Sequence, residues 1–60
     1  MNKKQEEFIR KQLNYFASEQ IMLHAKGFER HELTVEEFAK EDERITKKTL
    51  RNIEWAMTNM

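Results

Sequence analysis

The sequence predicts an all-α fold: an antiparallel two-helix hairpin, about residues 3–26 and 35–59, paired with a second copy into a dimeric four-helix bundle. Three observations predict it. The chain has no proline and one glycine, Gly27, which is too little turn chemistry for a strand-rich domain. Charged residues make up 37% of it and apolar residues 38%, a balance typical of long helices. Apolar residues also recur at spacings of three and four on both sides of a single interruption.

Helix one starts at about Asn2 or Lys3 and ends at about Lys26. Gly27 stands where a left-handed residue closes a helix, and Phe28 follows where an apolar side chain packs back on the last turn. His24 and Lys26 place basic groups at the negative end of the helix dipole. Residues 27–33 form the loop. Helix two carries the stronger start signal. Thr34 is an N-cap with Glu37 three residues on, a capping box, and Leu33 and Phe38 are spaced as a hydrophobic staple.

On a helical wheel, Phe38, Ala39, Ile45, Leu50, Ile53, Ala56, Met57 and Met60 fall in one stripe around Val35. The phase holds from Val35 to about Asn59, so one continuous helix is the simpler reading. The alternative is a three-helix helix-turn-helix domain. LTVEEFAKE followed by ITKKTLRNIE resembles the rhythm of bacterial helix-turn-helix regulators: Ala39, Ile45, Thr46, Thr49 and Leu50 supply its residue types, with Ile45 and those after it one position late. Asp42 stands where that motif has an apolar residue, and Glu43 where it has the turn glycine.

Helix one shows two seams. Ile9, Leu13, Phe16, Gln20 and Leu23 form the face expected against helix two. Phe8, Tyr15 and Met22, each seven apart, form a second seam beside it, and Ala17 and Ile21 widen the other flank. One partner helix cannot cover all of this, and uncovered apolar surface marks association. A small cysteine-free chain also needs reinforcement other than disulfides. These points lead to an expected homodimer through the second seam and/or contact with a larger protein, with Phe8, Tyr15, Met22 and Trp55 as the protein-interface residues. Trp55 is expected on the outer side of helix two, next to Lys48 and Arg51.

Asp42 falls in the apolar stripe. Either it faces a solvated gap, or it meets Gln20, which lies at a similar height on the antiparallel helix one; a Gln20–Asp42 hydrogen bond is the specific expectation. Helix two is acidic in its first half and basic in its second. Arg44, Lys47, Lys48 and Arg51 therefore suit the helix dipole, or a phosphate or acidic partner. Ion pairs are expected at Glu6–Arg10 and Glu43–Lys47.

Much chemistry is excluded. Without cysteine there is no thiol catalysis and no zinc site built on thiolates. His24 and His31 are seven apart, not at ligand spacing. No hydroxyl has a base–orienter pair, and no glycine-rich phosphate loop exists. No catalytic residue, metal or cofactor is expected. Small helical hairpins include the phosphatases of bacterial sporulation phosphorelays, whose motif resembles S-Q-E-L-D. The nearest stretch, AKEDE (Ala39–Glu43), lacks the serine and the acid–leucine–acid order, so it implies no catalytic role here. Zero formal net charge removes the simplest case for nucleic acid. No apolar run is long enough to span a membrane, and MNKKQEEF is not followed by a signal-peptide core. Residues 1–60 read as one small cytoplasmic domain. The expected function is a non-catalytic regulator or adaptor acting through helix contacts, such as an inhibitor of a larger bacterial or phage regulator. The alternative is a small DNA-binding regulator.

Overall fold

The computed structural model describes every residue from Met1 to Met60. Helix α1 spans Lys3–His24 and runs directly into a π-helical segment, Ala25–Glu29. After a short loop, helix α2 spans Val35–Asn59. The two helices lie antiparallel as a slab of about 42 × 16 × 9 Å, so the hairpin has two broad faces. There are no strands, and α2 runs unbroken through residues 41–46. The helix-turn-helix alternative is therefore not formed. Without a turn residue there, the 3.6-residue ladder of backbone bonds has no reason to stop.

Both helices begin with a capping box. The Asn2 side chain accepts the Gln5 backbone N–H at 2.8 Å, and the Asn2 N–H donates to Gln5 Oε1 at 3.1 Å. The Thr34 hydroxyl accepts the Glu37 N–H at 3.1 Å, and the Thr34 N–H donates to Glu37 Oε1 at 2.9 Å. These reciprocal bonds satisfy donors that the start of a helix leaves free. They also hold the Glu37 carboxyl below its ordinary range: the Thr34 backbone N–H contributes most, then its hydroxyl.

The hinge corrects the expectation for Gly27. The chain does not turn left-handed there. It widens into the π segment, where the Arg30 N–H donates to the Ala25 carbonyl at 2.9 Å, and the left-handed residue is His31 at φ 56°. Gly27 is required for closeness instead. A Cβ at that position would sit 2.7 Å from Phe38 Cδ2. Phe38 packs there with Phe28 and His24, with ring centroids 5.2–5.5 Å apart. Phe28 keeps this contact while remaining largely exposed.

The core is small. Only Leu23, Ile45 and Ala56 are buried, with Ile9, Phe16, Phe38 and Ile53 half-buried between the helices. Ala56 has no side chain to hold the helices apart, and Gln5 Nε2 reaches its carbonyl at 3.1 Å. The covered face of α2 is centred roughly 50° away from Val35. Val35, Leu50 and Met57 are consequently exposed, and so is Leu13 of α1. All four were expected to face inward.

Thr34→Ala should remove the α2 cap and cost about 1 kcal/mol, read as a lower midpoint in chemical denaturation. An unchanged midpoint would mean that water replaces the cap freely. Gly27→Ala should also lower the midpoint, although alanine is ordinarily better in a helix by roughly 1 kcal/mol. A raised midpoint would show that the Phe38 ring yields without cost.

Candidate protein-interaction surfaces

A line of polar contacts crosses the seam between α1 and α2. Gln20 Nε2 donates to Asp42 Oδ1 at 2.7 Å, as expected from their heights. Asn52 Nδ2 donates to Gln12 Oε1 at 2.9 Å. Lys48 meets Glu19 at 3.2 Å, and Asn2 Nδ2 donates to the Met60 carbonyl at 3.0 Å. Asp42 thus lies inside the apolar stripe with a donor supplied to it, and no buried side-chain polar atom lacks a partner. A half-buried carboxylate without that donor would lose part of its solvation with nothing from the protein to offset it.

The heights of these contacts, together with the wheel positions, define the two broad faces. Phe8, Tyr15 and Met22 of α1 share one face with Arg44, Lys48 and Trp55 of α2. Trp55 is not on the outer side of the hairpin. Its ring lies 5.7 Å from Phe8, tilted by 48°, and the residue stays 52% exposed. Phe8 is half-buried by that contact and belongs partly to the hairpin itself. Tyr15 and Met22 remain exposed. Towards the hinge the same face opens into a groove of about 470 Å³. Leu23, Leu33 and Ile45 line its floor, Met22 one wall, and Lys26, Glu37 and Arg44 its rim.

The opposite face is aliphatic. Ile9, Leu13 and Ala17 of α1 lie beside Thr46, Leu50, Ile53 and Met57 of α2. Leu13 is 51% exposed and Leu50 53%, at equal heights on the two helices. Among the large apolar residues of the first helix, Leu13 belongs to this face and not to the seam.

The basic half of α2 is largely matched by carboxylates of the same chain. Arg44 Nη2 lies 2.8 Å from Glu41, and Lys47 Nζ 2.7 Å from Glu43. Together with Lys48–Glu19, these pairs leave Arg51 as the member of the four without an ion-pair partner. The pairs are exposed, but they act on the groups in them. Hydrogen bonding to Lys47, then its charge, lowers the Glu43 carboxyl, and Glu41 raises the Arg44 guanidinium in the same way. The expected Glu6–Arg10 pair is not made. His24 donates from Nδ1 to the Gln20 carbonyl at 2.7 Å, a local bond near the end of α1. The AKEDE stretch lies within α2, with Glu41, Asp42 and Glu43 each engaged by a partner in the chain. No group of metal-ligating side chains converges anywhere, and no helix is long and apolar enough to cross a membrane.

Comparison with protein-family models, curated proteins and solved structures finds no match.

The Gln20–Asp42 bond invites a double-mutant cycle. Gln20→Ala, Asp42→Ala and the double variant should give a coupling of about 1–2 kcal/mol in denaturation, because the acceptor is charged and half-buried. Additive effects would mean that water serves each group as well as the other does.

Proposed function

We propose that this protein is a non-catalytic regulator or adaptor that lays the aromatic face of its hairpin on a larger protein. The observation that carries this reading is the composition of that face. Exposed Tyr15, Met22 and Trp55 lie within a surround of charged and amide groups, and aromatic residues, methionine and arginine are the types enriched where proteins meet. Lys26, Lys40 and Arg44 stand around the groove with Glu19, Glu37 and Glu41, and Lys48 joins them through Glu19. Lys4 and Lys11 share the face by wheel position, so cations outnumber carboxylates there although the chain as a whole is neutral. The partner surface that suits it is an acidic helix or groove with apolar anchoring points. Inhibition or bridging of a larger regulator follows from such contact without any chemistry by the hairpin. A reducing cytosol is the compartment this reading favours for a cysteine-free chain.

The test is a photo-crosslinking residue placed at Met22 in the producing cell, with the adduct identified and its binding then measured with purified components. One larger protein should be captured in discrete yield. Tyr15→Ala and Trp55→Ala should each weaken the purified complex roughly tenfold or more. The reading would be overturned if neither change altered affinity. It would also be overturned if the chain instead bound mixed-sequence duplex DNA with a steep salt dependence abolished by Lys47→Ala plus Arg51→Ala.

A further inference from the structure

We propose that the aliphatic face, opposite to the one assigned above, is covered by a second copy of this chain, forming a four-helix bundle around a central layer of Leu13 and Leu50 from both copies. This inference concerns a separate surface and stands or falls independently of the partner reading.

Size and burial point to it first. Only three of the 60 residues are buried, which is too little apolar burial for a lone hairpin of this length to be robust. A stacked copy would supply the missing burial on the one face that is aliphatic along its middle. With the slab about 42 Å long and 16 Å wide, two stacked copies would cover roughly 1,300 Å² in total before side chains widen the contact. That falls within the range of stable interfaces, about 1,200–2,000 Å². Permanent self-association also suits aliphatic surfaces better than mixed ones.

The arrangement of residues makes the face self-complementary, as a two-fold interface requires. The Gln12–Asn52 and Gln20–Asp42 contacts put Leu13 and Leu50 at one height, close to the midpoint of α1. A copy stacked with its hinge over the termini would bring Leu13 over Leu13 and Leu50 over Leu50. A copy stacked hinge over hinge would bring Leu13 over Leu50. Either way the four leucines meet in one layer. Ala17 and Thr46 provide small neighbours that let the helices approach, and Ile53 and Met57 extend the contact towards the termini. Charged residues stand at the margins of the face, at Arg10 and Glu43, at its terminal end, at Glu6, and at the seam towards the hinge, where Asp42 is already bonded to Gln20. There they can keep water when the middle is covered.

The experiment is sedimentation equilibrium of the full chain between about 1 and 200 µM at moderate salt, with helix content followed by circular dichroism. The protein should be a dimer. Leu50→Glu should weaken it by about 100-fold or more, because it would bury a charge, whereas Tyr15→Glu on the opposite face should leave it within about threefold. If Leu50→Glu loses its helicity, oxidative crosslinking decides. Leu13→Cys alone, or mixed with Leu50→Cys, should give a covalent dimer, and Tyr15→Cys should not. A monomer across the whole range would overturn the proposal. So would a dimer that Tyr15→Glu disrupts and Leu50→Glu does not, or crosslinking at position 15 in preference to positions 13 and 50.

Discussion

The hairpin depends on a short line of polar bonds across its seam, Gln20–Asp42 and Gln12–Asn52 above all. With so few side chains fully buried, apolar packing sets the register less firmly than a large core would. A slip would separate these amides and leave the Asp42 carboxylate without its donor inside an apolar stripe. That penalty falls on every wrong register and on none of the right one, which is how a polar group at a helix seam specifies pairing. The bonds add little net stability themselves, since water offers comparable partners to the unfolded chain.

The surfaces follow from that register. It sets Ala56 against Gln5, which lets the helices close at the terminal end. It brings Phe38 over Gly27, which closes the hinge end. It also sorts the remaining apolar residues into two unlike sets. Phe8 meets Trp55 on one face, in company with Tyr15, Met22 and several cations. Leu13 aligns with Leu50 on the other, where the middle is uncharged. Had the helices met one residue further round, these sets would be mixed. The separation leaves one hairpin with a mixed aromatic and charged surface on one side and a plainer aliphatic one on the other.

The parts legible in the sequence are those set by local chemistry or by counting along a helix. The Thr34–Glu37 capping box, the unbroken α2 and the Gln20–Asp42 contact all belong here, because each needs only neighbours or equal distances from the hinge. The Asn2–Gln5 box has the same form, an N-cap type three residues before an amide. The errors share a different cause. Rotation of a helix about its own axis is settled by the partner, and the face of α2 that meets α1 is not centred on Val35. Moving that centre carries Trp55 in towards Phe8 and carries Leu50 and Met57 outward, and a similar shift exposes Leu13. The role of Gly27 is not legible in the same way, because glycine has two uses, positive φ and absent bulk, and its neighbours in sequence do not distinguish them.

The most direct measurement replaces Gln12, Gln20, Asp42 and Asn52 together with leucine and compares amide NMR spectra of the variant with those of the native chain. If the polar line selects the register, the native chain gives one set of resonances. The variant then unfolds at higher denaturant but shows multiple or broadened sets, as slipped registers become populated. A variant that gave a single sharp set with the native pattern of inter-helix contacts would contradict this, and would place the specification of the fold in the apolar packing or in the hinge.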